Sequence, residues 1–317
     1  MVDQGVTGKL DLWSVPIAGG TPAKISATVP DDRDVAGFEI SATGRAVYSH
    51  DVLRWTKYEL FSVPIAGGAS VKLSGTMPSD NDVEGFHVTQ DGATVVYRTG
   101  NTDSDEWDLY SVPTTGNATP RKVSRTLPNG SGVTTDFKLT PDGARVLYLA
   151  DPDTDNVFVL HSAPIQGGQS VALNLSGSVE AFEVSSDGQR ARWTQRNGAT
   201  VSYWLAPVDG GPVSPALPPV QAPVTSPDGR WALVPVGVEL WSEGPSGLHR
   251  VSCPGEQVVT TYPTRYTPAY SVSEDSSTVV YVAKVGGRLG LYAGPIGEAM
   301  CEVFSDGFES GGVTRWN

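Results

Sequence analysis

The chain has 317 residues, 39% of them hydrophobic, and a formal charge of -13 from 22 Lys and Arg against 35 Asp and Glu. A chain this long can bury about three quarters of its unfolded surface, and it holds no apolar run near the roughly 20 residues that a membrane span needs. The acidic balance excludes a nucleic-acid partner, because phosphate backbones are gripped by Lys and Arg.

From the N-terminus, Leu10 to Ser26 reads as two strands joined by the turn SVPIAGG, and that turn returns verbatim at Ser62 to Gly68. Six longer units follow, beginning near Val35, Val83, Val133, Val179, Val220 and Ala269. Each opens on a strand, a tight turn and a second strand: FEISATGRAVYS, FHVTQDGATVVYR, FKLTPDGARVLYL, FEVSSDGQRARWT, PVTSPDGRWALVP and YSVSEDSSTVVYV. Asp91, Asp142, Asp187 and Asp228 each precede a Gly, whereas Thr43 precedes Gly44 and Asp275 precedes Ser276. A left-handed turn position suits Gly best, so the two outer copies are expected to have the least regular turns.

The second half of each unit is a strand ending near a proline and a glycine turn. Those prolines are Pro16, Pro64, Pro113, Pro164, Pro207, Pro245 and Pro295, at intervals of about 38 to 51 residues, within the range of propeller repeats. In the unit from Val83 the four strands are EGFHVT, ATVVYRT, DLYSVP and RKVS, here called A, B, C and D. Apolar residues alternate within them and no helical period is sustained. The fold class is therefore all-β, a β-propeller of four-stranded antiparallel blades. Residues 1–305 are expected to form one propeller domain and 306–317 a C-terminal tail. The leading half unit has only strands C and D. A seven-bladed ring with one blade incomplete for want of upstream residues accounts for this, and a six-bladed ring with the half unit capping an edge is the alternative.

The phrase LTPDGARVLYLADPDTDNVFVLHSAPIQGG, Leu139 to Gly168, and its copies resemble the PD40, or WD40-like, repeat of TolB-like β-propellers. The resemblance covers nearly the whole chain. It implies the fold and leaves function open, since this repeat serves the periplasmic Tol system, propeller domains of prolyl-oligopeptidase-like proteases, and lyases. The ending FSDGFESGGVTRWN, from Phe304, is similar to a short motif on exported bacterial proteins. A periplasmic or extracellular location is the resulting expectation, although MVDQGVTGKLDLW has no signal-peptide pattern. Cys253 and Cys301 stand in successive units, either bonded to each other or as two unrelated thiols.

No G-x-S-x-G nucleophile turn occurs, and His50, His87, His161 and His249 lack metal-ligand spacing. In DPDTDN, Asp151, Asp153 and Asp155 alternate as calcium ligands do, without the Gly and distal Glu of an EF-hand loop; a solvated turn is the competing reading. Connections from B to C and from D to the next A are expected on one face. Arg33, Trp55, Asp105 and Trp107 are its candidate binding residues, against the reading that acidic turns merely protect blade edges. The expected function is noncatalytic binding of a protein or peptide through that face or a central channel, with no cofactor beyond possible calcium. A carbohydrate-active hydrolase or lyase with a composite channel site, and a structural surface-assembly module, are the alternatives.

Overall fold

A computed structural model describes residues 10–27, 34–51, 57–151, 157–174, 176–185, 187–216, 224–227, 230–236, 239–244, 247–252, 257–258, 261–262, 265–268 and 270–296. The leading half-blade is β1 (Trp13–Ser14) paired with β2 (Ala23–Lys24). The first blade is β3 (Val35–Ile40), β4 (Arg45–Asp51), β5 (Tyr58–Pro64) and β6 (Val71–Lys72); the second is β7 (Asp82–Val88), β8 (Thr94–Asn101), β9 (Glu106–Pro113) and β10 (Arg121–Lys122). The third is β11 (Val133–Leu139), β12 (Arg145–Ala150), β13 (Val159–Pro164) and β14 (Val171–Ala172). Then come β15 (Ser178–Val184), β16 (Arg190–Asn197), β17 (Thr200–Pro207) and β18 (Ser214–Ala216), followed by β19 (Val224–Thr225), β20 (Ala232–Val236), β21 (Glu239–Gly244) and β22 (Gly247–Arg250). Each of these sheets pairs its four strands in chain order. The described residues contain no helix, so the all-β class and the four-stranded blades expected from the repeat are what the chain forms.

The last sheet departs from the pattern. Its strands are β23 (Gln257–Val258), β26 (Tyr270–Val272), β27 (Thr278–Val285) and β28 (Arg288–Pro295), with β24 (Thr261–Tyr262) and β25 (Arg265–Pro268) forming a separate hairpin. One edge of β27 is taken by β28 along its whole length. The other edge is shared, with Val258 opposite Ala283 and Tyr270 opposite Tyr281. Strand A of this blade is thus split, and the β24–β25 hairpin is inserted at the split. The repeat register starting near Ala269 saw only the second piece, because the first is two residues long.

The chain divides into two compact units, one of Met1–Val184, Trp193–Val201 and Ala206–Val213, the other of Ser185–Arg192, Ser202–Leu205 and Ser214–Asn317. In the first unit the apolar core fills the gaps between successive blades. Leu12 and Ile25 of the half-blade pack on Val35, Ala46, Tyr48, Phe61 and Val63. Val47, Leu60 and Leu73 then meet Val83, Val95 and Val112 of the next blade, and the same arrangement joins the second blade to the third. Fully burying each such side chain stabilises by about 1.5–3 kcal/mol. Strands β4 and β5 lie between two neighbours, so both their faces are buried and even Ser49, His50 and Ser62 are inside. In the second unit Leu233, Leu240, Val251 and Val258 pack with Tyr270, Val279, Tyr281 and Tyr292.

A cross-strand aromatic pair recurs at one register position of strands B and C: Tyr48 with Phe61, Tyr97 with Tyr110, Tyr148 with His161, and Tyr281 with Tyr292. Their ring centroids are 5.7, 5.9, 5.3 and 5.6 Å apart, all stacked, an arrangement worth about 0.5–1.5 kcal/mol beyond burial. The hydroxyl of Tyr148 accepts from Arg125 N and bonds Ser170 Oγ, just as that of Tyr48 accepts from Ala27 N and bonds Ser70 Oγ. Each such tyrosine therefore ties its blade to the connection arriving from the preceding one.

The A–B turns correct one expectation. Gly44 N donates to Ser41 O and Ser276 N to Ser273 O, at 3.0 and 2.9 Å, as Gly92, Gly143 and Gly188 do at 2.8 Å. The outer copies are as regular as the rest. Ser276 takes the left-handed conformation itself, at φ 59°, and the turn is held by Asp275, which accepts from Ser273 Oγ and from Ser277 N. The local side-chain bonds replace the advantage of glycine. Cys253, Cys301, Asp228 and the tail from 306 lie outside the described residues.

Candidate functional site

Three consecutive boundaries in the first unit bring a B–C connection against a D–A connection. At the first, Lys57 is buried and its ammonium donates to Pro78 O and Ser79 O at 2.8 and 2.7 Å, while Tyr58 N donates to Asp82 Oδ1 at 2.6 Å. At the second, the backbone of Asp105 passes so close to Gly132 that a β-carbon there would stand 2.4 Å from Asp105 O. At the third, Val179 N donates to Phe158 O and Phe158 N to Ser178 Oγ. The two sets of connections form one loop face, as the repeat implied.

Arg98, Trp107, Glu84 and Asp105 make up its best-defined part. Arg98 projects from β8 and lies over the indole of Trp107, 3.7 Å from the ring centroid. Its Nε donates to Val133 O at 2.7 Å, and its guanidinium also pairs with Glu84. Glu84 can reach because β7 is bulged there: the register slips by one residue between Val83 and Phe86. A bulge re-aims the extra side chain. Burial pulls the Arg98 pKa down from its ordinary value, while Glu84 and Asp105 oppose that shift. Asp105 itself holds φ at 55°, a conformation uncommon for a residue other than glycine.

Trp107 is therefore buried under Arg98, 4% exposed, and serves as the floor of the loop face. Asp105 is exposed on the same connection, beside exposed Asp103 and Glu106. Asp151 is half-buried and its N–H points to Gly132 O at 3.4 Å. Asp153 and Asp155, the other two candidate calcium ligands, lie outside the described residues, as do Arg33 and Trp55. Among the described residues no group of three His, Cys, Asp or Glu is placed to hold a metal ion. Lys57, Glu84 and Arg98 were missed by sequence reasoning; the unpatterned Glu before Gly85 in DVEGF was the available signal for the bulge.

Burial raises the pKa of Asp82, against the lowering effect of its bonds from Tyr58 N and Val83 N. Burial also raises that of Tyr58, reinforced by Asp51, Asp34 and Asp82. Among the described residues of this face, Lys57 is satisfied by carbonyls and Arg98 by Glu84 and Val133 O, whereas Arg125 and the acids Asp80, Asp103, Asp105 and Glu106 are exposed.

The A strands carry a second set of contacts between blades. Glu39 Oε1 meets His87 Nδ1 at 3.0 Å and Glu39 Oε2 accepts from Val88 N at 2.8 Å. His87 in turn packs on Phe137, with centroids 5.0 Å apart, and Lys138 reaches Phe182 O at 2.6 Å and covers its ring. Glu39, His87 and Lys138, which follow the A-strand Phe of the first three blades, thus cover or cap the next blade. Phe38 of the first blade has no such cover among the described residues and is 42% exposed, against 2% for Phe137 and Phe182. An acid and a histidine do meet here, but both Glu39 oxygens are occupied in holding the second blade.

No family model matches the chain, and no curated protein matches it. Among solved structures it is similar to TolB from Acinetobacter baumannii, at 13% identity and a TM-score of 0.39, over 74% of this chain and 57% of that one. It is similar to a putative TolB from Agrobacterium tumefaciens at 16% identity and a TM-score of 0.38, over 89% and 83% of the two chains. An oligogalacturonate lyase in complex with manganese matches at 12% identity and 0.47, over 91% and 83%. The chain is all-β, built of β-propeller blades, and is similar to TolB-type propellers.

Proposed function

We propose that the chain is a noncatalytic, exported bacterial propeller whose loop face binds a basic segment of a protein or peptide partner. The observation that supports this is the asymmetry of charge on that face. Among the described residues of this face, Lys57 and Arg98 point inward and are satisfied by the protein itself, while four acids, Asp80, Asp103, Asp105 and Glu106, are exposed against the one cation Arg125. Carboxylates around a rigid floor steer and orient cationic partners, and their pull weakens as salt is added. The floor is rigid because Trp107 is pinned by Arg98, and Arg98 by the start of the third blade.

Fluorescence anisotropy of a labelled Lys/Arg-rich peptide against the whole chain tests the reading. Saturable, salt-sensitive binding that is lost in Asp103→Asn/Glu106→Gln supports it, and equal weak binding of basic and acidic peptides contradicts it. Export is tested separately by fractionating cells that make the protein.

A further inference from the structure

The loop-face reading leaves the buried histidine of the third blade, His161, unused. His161 lies on β13 opposite Tyr148, in the position that Phe61, Tyr110 and Tyr292 hold in other blades. It is 1% exposed and stacked on Tyr148 at 5.3 Å. Neither ring nitrogen has a hydrogen-bond partner among the described residues. The imidazole is thus packed as though it were a phenyl ring, and its unsatisfied buried nitrogens carry a desolvation cost that Phe would not. A cation in that place would be far worse, since no described group there accepts its protons.

Its surroundings offer no compensation. From its own blade it is flanked by Tyr148 on β12 and Ala172 on β14. From the connection after β10 comes Arg125, whose charge opposes protonation of the ring. Asp108 of β9 acts on Tyr148, where its charge raises the phenol pKa. Burial, with Arg125 second, brings the His161 pKa down to about 4.

We propose that His161 is an acid-sensitive latch: protonating its ring loosens the third blade and, with it, the 125–132 connection that forms part of the loop face. The linkage runs through Tyr148, whose hydroxyl accepts from Arg125 N at 3.0 Å and meets Ser170 Oγ at 2.8 Å. The far end of the same connection is held by Arg98 on Val133 O and by Asp151 N on Gly132 O. The effect on binding rests on the proposed function; the effect on stability does not.

Well above pH 6.5 the ring is neutral whether the chain is folded or not, and it contributes no pH dependence. As pH falls from about 6.5 toward about 4, the unfolded chain takes up a proton that the folded one refuses, so stability falls by up to about tenfold in the unfolding equilibrium per pH unit. Below that window the folded ring is protonated too, and the loss levels off.

Denaturant unfolding of the whole chain at pH 7.5 and 5.0, for wild type and His161→Phe, tests the latch. Wild type is expected to lose roughly tenfold or more in its folding equilibrium beyond what the Phe variant loses; equal acid losses overturn the proposal. A second readout needs no variant to fold. The ring carbon and proton shifts assigned to His161 in the wild-type spectrum should stay those of neutral imidazole down to pH 5, and a midpoint near 6.5 overturns it. Anisotropy of the same basic peptide at the two pH values completes the set. Binding lost on acidification in wild type and kept in His161→Phe supports the latch, whereas no peptide binding at any pH overturns the loop-face reading and leaves the unfolding result standing alone.

Discussion

Arg98 lies flat over Trp107, its guanidinium carbon 3.7 Å from the indole centroid, and the pair joins the second blade to the third through Val133 O. Truncating Trp107→Ala removes the surface on which the guanidinium rests, and should destabilise the chain by about 3–5 kcal/mol. Arg98→Lys keeps the charge but not the fork that serves Glu84 and Val133 together, and should cost about 1–3 kcal/mol. Denaturant melts of both variants check this; a neutral Arg98→Lys would show that the fork does not hold the blades.

Gly92→Val should be far more damaging than Gly44→Ala. Both glycines are left-handed, at φ 72° and 77°, so each substitution carries a conformational cost of about 1 kcal/mol. A β-carbon at Gly92 would also stand 2.6 Å from Ala42 N in the first blade, whereas at Gly44 it meets open space. The loss at Gly92 should exceed about 2 kcal/mol. Equal shifts in thermal unfolding would mean that the A–B turn of one blade does not seat on its neighbour.

The blade pattern was legible because its signals are local. Alternation, the Asp-Gly turn and the proline-glycine stop each lie within a few residues, and the strands expected in the second blade appear within two residues of their expected ends. The aromatic register was half visible, since Tyr48, Tyr97, Tyr148 and Tyr281 stand in matching strands. What stayed hidden was set by neighbours distant in sequence. Trp107 looked like a binding aromatic and is a floor, because Arg98 comes down on it from the paired strand. The split A strand of the last sheet was hidden because a two-residue strand carries no periodicity.

The Glu39 carboxylate is expected to act as a bridge between blades. Glu39→Ala should release Val88 N and His87 together and cost about 1–3 kcal/mol. A double-mutant cycle with His87→Ala should give a coupling of a few tenths to about 1 kcal/mol that shrinks with added salt, because His87 is half exposed. Strict additivity would remove the ion pair from the account and leave only the bond to Val88 N.

Tyr148→Phe should separate hydroxyl from ring. The stack on His161 survives the substitution, but Arg125 N and Ser170 Oγ lose their partner, for a cost of about 1–2 kcal/mol. Hydrogen exchange should speed up at Arg125 in particular. Unchanged exchange there would place the anchoring of the 125–132 connection elsewhere.

The central claim is that the acidic loop face takes a basic partner. Salt-dependent anisotropy of a Lys/Arg-rich peptide on the whole chain measures it most directly. The account predicts saturable binding that weakens steeply as salt is raised and fails in Asp103→Asn/Glu106→Gln while the unfolding midpoint stays put. Binding that ignores both salt and those two substitutions would contradict it.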